Sequence, residues 1–109
     1  MIMVTTESVA GYRVVKTLGL VKGNTIRARN IGHDIMAALR NIAGGEIVDY
    51  TKMVAEAREQ SLDRMQADAV SLGANAVLTV RFTTNSMMQG AAELLAYGTA
   101  VVLEREGEK

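Results

Sequence analysis

Hydrophobic positions between Ile47 and Gly73 recur at the spacing of one long amphipathic helix. Glu46 and Asp49 place negative charge at its start, where the helix dipole is partly positive, and Gly73 is suited to a left-handed C-terminal cap. A helix of this length, about 39 Å, extends beyond what one small sheet can cover. Its apolar stripe contains Thr51, Val54, Ala55, Leu62, Met65, Ala69 and Leu72.

Arg58 interrupts this stripe, because the same periodicity places it between Val54 and Leu62. A buried, unpaired guanidinium costs several kcal/mol, so Arg58 must reach water or meet a negative charge. One interpretation is a buried or interface salt bridge that fixes how subunits meet. In the other, Arg58 presents its fork to a carboxylate or phosphate ligand in a cleft between subunits near Tyr50. Candidate salt-bridge partners are Asp34, Glu46 and Glu93.

Segments rich in Val, Leu, Ile and Thr predict three strands around this helix. The first spans Tyr12–Arg29. Its Gly23-Asn24 pair is either a hairpin turn or a bulge that bends one long strand, and we favour the long bent strand. The other predicted segments are an extended start at Val4–Thr6, strands at Ala76–Asn85 and Glu93–Leu103, and a connection at Ser86–Ala91.

A shorter helix is predicted over Ile31–Ala43, with Asn30 as its N-cap and Gly44-Gly45 at its end. The resulting β-α-α-β-β order predicts an α+β fold. It is a two-layer sandwich in which a three-stranded, mainly antiparallel sheet packs on the long helix. Residues 1–103 form a single domain, and residues 104–109 form a polar C-terminal tail.

Both faces of the last predicted strand are apolar, with Leu94 and Ala96 on one face and Leu95 and Val101 on the other. A lone subunit with helices on one side of its sheet would leave Leu95 and Val101 in water. Such a patch is larger than soluble monomers usually expose. Burying about 800 Å² of apolar area per subunit contributes roughly 20 kcal/mol before association costs. We therefore expect a homo-oligomer with closed cyclic symmetry.

The composition excludes several function classes. Twelve basic and twelve acidic side chains cancel, so no general field attracts nucleic acid or an anionic membrane. The absence of cysteine excludes disulfides and thiolate metal sites and is compatible with the cytoplasm, where we expect the protein. No stretch approaches the ~18 apolar residues of a membrane span, and the first residues lack the pattern of a secretory signal.

Candidate chemistry is sparse. A single histidine and no cysteine cannot supply a Ser-His-acid or Cys-His catalytic set. His33 is a weak candidate for a metal ligand, because the neighbouring Asp34 would point about 100° away on a helix, and soft metals prefer thiolates. Symmetry-related histidines on a ring axis would overcome that restriction. No cofactor follows from the sequence.

Several blocks of residues occur in an order that resembles a known family. They are Val4-Thr5-Thr6, Gly19–Gly23, Asn30-Ile31 with Asp34, Gly44-Gly45 with Tyr50, Ala57-Arg58-Glu59, Leu72–Val77 and Tyr97–Val101. Together they resemble the YbjQ-like family, small bacterial and archaeal proteins of unassigned function, over about Met3 to Leu103. The resemblance implies a dodecin-subunit-like sandwich assembled as a homopentameric ring, in some members as stacked rings. It also carries a heavy-metal-binding label.

We therefore predict a non-enzymatic homo-oligomer, a pentameric ring, that serves as a binding or scaffold module for a metal ion or small ligand. The alternative is a small-molecule enzyme with its active site between subunits. The residues predicted to bind the ligand or line the subunit interface are Arg58, Tyr50, Asn30 and Asp34, and His33 is the weak metal candidate.

Overall fold

The computed structural model describes residues 1–28, 45–88 and 91–107, and the side chains of residues 1–27, 53–85 and 92–107. Within these ranges the chain has an α+β fold in which a helix packs on a four-stranded mixed sheet. The elements are β1 (Ile2–Met3), β2 (Tyr12–Ala28), α1 (Gly45–Ser71), β3 (Ala76–Met88) and β4 (Ala91–Arg105). The predicted helix over Ile31–Ala43 lies outside the described residues.

β2 is one long strand, as favoured from the sequence, but it does not bulge at Gly23-Asn24. That pair keeps an unbroken antiparallel register with β4. The register shifts lie earlier, between Val14 and Lys16 and between Thr17 and Gly19. Gly23 instead marks a close approach of α1, because a Cβ at this position would overlap the helix backbone.

The sheet has the order β1-β3-β4-β2, with β1 parallel to β3 and the other pairs antiparallel. The predicted three-stranded sheet is therefore wrong by one strand. The additional strand, Ile2–Met3, has 2 residues, and its Ile2 lies opposite Ala76 of β3. Alternation between two faces cannot be recognised in so short a segment, so the sequence gives no signal for this strand.

β3 and β4 are longer than predicted and take in most of the predicted connection Ser86–Ala91. β4 continues to Arg105, which lies opposite Tyr12 of β2. Beside this pair, Arg13 Nη2 and Glu104 Oε1 form a salt bridge of 3.1 Å. The start of the predicted polar tail therefore belongs to the sheet.

α1 has nearly the predicted bounds, and its end has the predicted geometry. Gly73 adopts a left-handed conformation with φ 87°. The N–H of Ala74 donates to the carbonyl of Ala69 at 3.1 Å, which satisfies a carbonyl of the last turn. The sequence signal for the C-terminal cap is confirmed.

The face of α1 that meets the sheet is a row of residues four positions apart. Ala57, Ser61, Met65 and Ala69 are all completely buried. Such a row drifts around the helix axis by about 40° at each step, so it follows a twisted sheet better than a straight stripe does. Arg58 lies beside this row and its side chain is exposed. Its predicted place at the centre of the buried stripe is wrong within the single chain.

A hydrophobic core fills the space between α1 and the sheet. The helix contributes Met65 and Ala69, with Leu62 packed against them from the side. Several of the sheet residues are small, which lets the helix approach closely. The buried sheet residues of this core are Val21, Val77, Val80, Ala96 and Ala100.

The sheet face turned away from α1, here called the far face, is covered at one end by the N-terminal segment of the same chain. Val101 is only 2% exposed, although the sequence predicted that it would lie in water without a partner. Toward the other end, Leu20 and Ile26 are 69% and 55% exposed. The covering residues are Ile2, Val4, Val9 and Tyr12, and they pack on Ala76, Leu78, Val101 and Leu103.

The subunit is elongated. Its Cα radius of gyration is 18.0 Å, whereas a compact chain of 109 residues has about 13 Å. The 17 residues of β2 account for this shape, since they span about 56 Å at roughly 3.3 Å per residue. Among the described residues, no helix is both long and apolar enough to cross a lipid bilayer.

Candidate functional site

The closest contact between α1 and the sheet contains a buried pair of hydroxyl groups. Ser61 Oγ lies 2.9 Å from Thr25 Oγ1, 2.9 Å from the Ala57 carbonyl and 3.1 Å from the Leu94 carbonyl. Both hydroxyls are satisfied when Thr25 donates to Ser61 and Ser61 donates to a carbonyl. Gly23, next on the same face of β2, leaves the space that brings the helix this close.

Arg27 follows Thr25 on the face of β2 that meets the helix. Its Nη2 donates to Oε1 of Gln60 on α1 at 3.0 Å. Its Nε is buried and has no hydrogen-bond partner, and no other buried side-chain nitrogen or oxygen of the described residues shares this state. The part-buried guanidinium of Arg27 thus contacts the neutral amide of Gln60 beneath the helix. A buried donor without a partner, such as its Nε, is uncommon in folded proteins.

Two further contacts fix α1 over the outer edge of β2. Asp68 Oδ2 accepts a hydrogen bond from the backbone N–H of Lys22 at 3.1 Å. Arg64 Nη1 donates to the backbone carbonyl of Asn24 at 2.6 Å. Together with Gln60, these helix residues are spaced four apart and form one flank of α1. The flank satisfies backbone groups of the edge strand and positions the amide of Gln60 over Arg27.

The exposed part of the far face has its own polar group. Glu93 accepts hydrogen bonds from Asn24 Nδ2 at 3.1 Å and from Asn85 Nδ2 at 3.4 Å. The three side chains come from β2, β3 and β4 and lie side by side across the sheet. Exposed Ile26 lies opposite Glu93 on this face, and exposed Leu20 lies six residues earlier on the same side of β2. The surface therefore combines apolar contact area with oriented hydrogen-bonding groups.

Thr79 has φ 55°, a left-handed conformation that β-branched residues rarely adopt. It lies where the register of β3 and β4 shifts, between Leu78 and Arg81. The N-terminal segment holds it there, because the Thr79 N–H donates to the Thr6 carbonyl at 2.9 Å. Arg81 Nη1 donates to the Thr5 carbonyl at 2.8 Å. The strain is compensated by contacts that the two segments make only when packed together.

The structure brings none of the sequence-predicted site residues into one described group. Arg58 is exposed on the side of α1 opposite Gln60, and Tyr50 belongs to α1 while its side chain lies outside the described residues. Asn30 and Asp34 lie outside the described residues, as does the metal candidate His33. Their roles at a ligand site or a subunit interface stay predictions.

Sequence reasoning missed Arg27 and Gln60. The alternation of β2 carries a signal, because Val21, Gly23 and Thr25 are buried and Arg27 is the next residue on that face. A charged residue that continues a buried period-two pattern is the strand equivalent of Arg58 in the helix. Gln60 has no such signal, because its role depends on how the helix lies across β2.

The chain matches a family model described as "Putative heavy-metal-binding" over residues 1–104. It belongs to the YbjQ family. A UPF0145 protein of Dehalococcoides mccartyi strain BAV1 is 62% identical over 104 residues, which are 95% of this chain and 100% of that protein. A UPF0145 protein of Halorubrum lacusprofundi is 59% identical over 98 residues, which are 90% of this chain and 94% of that protein.

A solved structure has the same fold as this YbjQ-family chain. It is a protein of unknown function from Pediococcus pentosaceus, with a TM-score of 0.64 and 16% sequence identity. The match covers 95% of this chain and 98% of that one. At this identity the likeness concerns the fold alone.

The described residues do not provide the donors that the family description calls for. Nowhere in the described ranges do three or more His, Cys, Asp or Glu side chains come together to hold a metal ion. The chain has no cysteine, and thiolate is the ligand that soft heavy metals prefer.

Proposed function

We propose that this YbjQ-family protein is a ring-forming homo-oligomer that serves as a binding or scaffold module. One observation carries the proposal: the elongated subunit exposes Leu20 and Ile26 on the far face of its sheet. Fully burying an aliphatic side chain of this size contributes about 1.5–3 kcal/mol. The amides of Asn24 and Asn85, near Ile26, give a partner a defined orientation, because buried polar groups must be matched.

The ring in this proposal is a pentamer of dodecin-subunit-like sandwiches. The number of subunits rests on the family resemblance, and the need for association rests on the exposed far face and the radius of gyration of 18.0 Å. Cyclic association is the arrangement in which each long, asymmetric subunit can use the same two surfaces. We place the assembly in the cytoplasm, in keeping with its cysteine-free sequence.

The ligand of the proposed module is a small molecule or ion bound between subunits. Arg58 supports this placement, because its side chain is exposed on α1, where a neighbouring subunit or ligand can contact it. Arg27 is a second cation that a ligand can contact, because its guanidinium is only part-buried beneath α1. A metal ion is the second candidate, favoured by the family description, with His33 as its weak ligand candidate.

Native mass spectrometry of the full chain tests the proposal, because it measures subunit number and retained ligand mass together. The subunit mass is 11.7 kDa, so a pentamer has a mass of about 58 kDa. We expect that mass for the wild type and smaller species for Leu20→Glu, which places a charge on the far face. Val70→Glu is the matched control, because Val70 is 58% exposed on α1, away from the far face.

A wild-type chain that has the monomer mass at micromolar concentration would contradict the proposal. If Leu20→Glu and Val70→Glu lose assembly to the same extent, the far face is not the specific subunit interface. An added mass that persists under gentle ionisation and disappears after denaturation would identify the ligand class. A metal would be recognised by elemental analysis of the same sample.

A further inference from the structure

Arg27 is a cation that the described fold holds beneath α1 without a negative partner. Its guanidinium carries several N–H donors, of which Nη2 is bonded to Gln60 Oε1 at 3.0 Å. Its Nε is buried and has no hydrogen-bond partner. A donor left in this state costs free energy unless something else accepts its hydrogen. The guanidinium of Arg27 therefore retains donor capacity that the described side chains do not use.

The residue opposite Arg27 does not neutralise it. Gln60 is the uncharged counterpart of glutamate, and its amide accepts one hydrogen bond without balancing the positive charge. Within the described ranges the salt bridge present is the one between Arg13 and Glu104, at the far end of β2. The nearby hydroxyls of Thr25 and Ser61 are bonded to each other and to carbonyls. Among the described residues, the part-buried guanidinium of Arg27 therefore keeps its positive charge and an unpartnered Nε beneath the helix.

We propose that Arg27 and Gln60 form the binding site of a small oxyanion, a carboxylate or a phosphate group. Both anions present oxygen atoms that match guanidinium donors, and the bonds are stronger than neutral ones because both partners are charged. Gln60 holds Nη2 in place through its oxygen, and its amide N–H groups are further donors for an anion. The site specifies the ligand class of the binding module proposed above, and in that respect it rests on that function.

The glutamine is the residue that keeps this site selective for an added anion. A glutamate at position 60 would neutralise Arg27 within the chain and compete with any ligand. Asp68, which is placed on the same helix flank, is bonded to the Lys22 backbone instead. On this flank a carboxylate, Asp68, accepts from a neutral backbone N–H group of β2. The positive side chain of Arg27 is instead met by a neutral amide, Gln60.

Thermal melting of the full chain with sodium phosphate, sodium acetate or sodium chloride at equal ionic strength tests the proposal. We expect phosphate or acetate to raise the melting temperature by about 5 °C or more at roughly ten times its dissociation constant, relative to chloride. Comparing the phosphate and acetate series distinguishes the two oxyanions. In Arg27→Gln the increase over chloride should disappear. In Arg13→Gln, which removes the same charge from an exposed position, it should remain.

Gln60→Glu provides a second test that does not remove the Arg27 guanidinium. We expect this variant to melt at a higher temperature than wild type in chloride and to lose most of its response to phosphate and acetate. A wild-type response that persists in Arg27→Gln or in Gln60→Glu would overturn the proposal, as would a wild type that responds to neither anion. Native masses measured in parallel separate the two proposals, because loss of the anion response with an intact ring overturns only the site.

Discussion

Gly23 of β2 lies directly beneath Ser61 of α1, where helix and sheet are closest. A methyl group on Gly23 would overlap the Ser61 carbonyl oxygen and the Met65 amide nitrogen. Because the glycine has no side chain, the helix comes close enough for the Ser61 hydroxyl to reach Thr25 at 2.9 Å. The same proximity places Gln60 within 3.0 Å of Arg27. One glycine therefore sets the separation on which the candidate site depends.

Replacing Gly23 with alanine should lower the free energy of unfolding by about 3 kcal/mol or more. Overpacking a core costs roughly 1–3 kcal/mol, and here the added methyl group meets backbone atoms that cannot change rotamer. Urea denaturation measures the change. Lys16→Ala, at an exposed position of the same strand, should stay within about 0.5 kcal/mol of wild type. A Gly23→Ala chain with wild-type stability would show that the helix can move away freely.

The hydroxyls of Ser61 and Thr25 should be energetically coupled. Ser61→Ala and Thr25→Val each leave a buried hydroxyl with fewer partners, and each should cost about 1–2 kcal/mol. The double variant should cost less than the sum, with a coupling energy of roughly 1 kcal/mol, because the second change removes a group that the first left unsatisfied. Chemical denaturation of the four proteins measures this cycle. Strict additivity would mean that the two hydroxyls do not interact in solution.

Thr79→Gly should stabilise the protein or leave it unchanged, although glycine usually weakens strands. The left-handed backbone at Thr79, φ 55°, costs about 1–2 kcal/mol for a residue with a Cβ and nothing for glycine. Thr84→Gly is the matched comparison, because Thr84 is exposed on the same strand in regular register. That change should cost about 0.5–1 kcal/mol. Similar losses for both variants in thermal melts would contradict the strain at Thr79.

Asp68→Ala should expose the outer edge of β2. The Asp68 carboxylate accepts the backbone N–H of Lys22 at 3.1 Å, and hydrogen exchange at Lys22 should become faster when that acceptor is removed. The accompanying loss of stability should be about 1 kcal/mol. Hydrogen exchange followed by NMR gives the site-specific rate. Glu56→Ala, which removes an exposed carboxylate from the same helix, should leave exchange at Lys22 unchanged, and equal acceleration in both would argue against the contact.

Arg58→Met should alter assembly or stability by more than its exposure in the single chain explains. Surface substitutions away from special contacts usually change stability by less than about 0.5 kcal/mol. A larger loss, or dissociation at a higher protein concentration, would place Arg58 at a subunit interface or ligand. Analytical ultracentrifugation over a dilution series, combined with thermal melting, measures both effects. If the variant has the oligomer mass and the melting temperature of the wild type, Arg58 contributes neither to the subunit interface nor to the ligand site.

Much of the fold followed from local patterns in the sequence. The long helix and its Gly73 cap, the continuous strand β2 and the pair β3 and β4 all lie close to their predicted positions, because their periodicity extends over many residues. The strands β3 and β4 are longer in the structure than predicted. Their ends at Met88 and Arg105 depend on pairing with neighbouring strands rather than on composition. Whether a segment forms a helix or a strand could be predicted from its own residues, whereas the residue at which a strand ends depended on its pairing with other strands.

The candidate site was less predictable, because it depends on relations between distant residues. Arg58 was expected at the centre of a straight buried stripe, but the contact row of α1 drifts around the helix and leaves Arg58 exposed. Arg27 was expected at no particular site, but the structure places it beneath α1. The sequence did not single it out, because apolar residues lie on both faces of its strand. Gly23 was assigned to a turn or bulge, although its actual role is the close approach of Ser61 and Met65 of α1, which lie about 40 residues away in the chain.

The sequence by itself determined the α+β class, the long helix and the strands around it, because hydrophobic periodicity is a local property that the chain carries in any conformation. The tertiary structure alone decided the fourth strand Ile2–Met3, the covering of Val101 by the N-terminal segment and the placement of the Arg27 guanidinium against Gln60. These features exist only when segments far apart in the chain pack together. Their physical causes, which are backbone pairing, shared burial and the geometry of a helix on a twisted sheet, have no counterpart within a single segment.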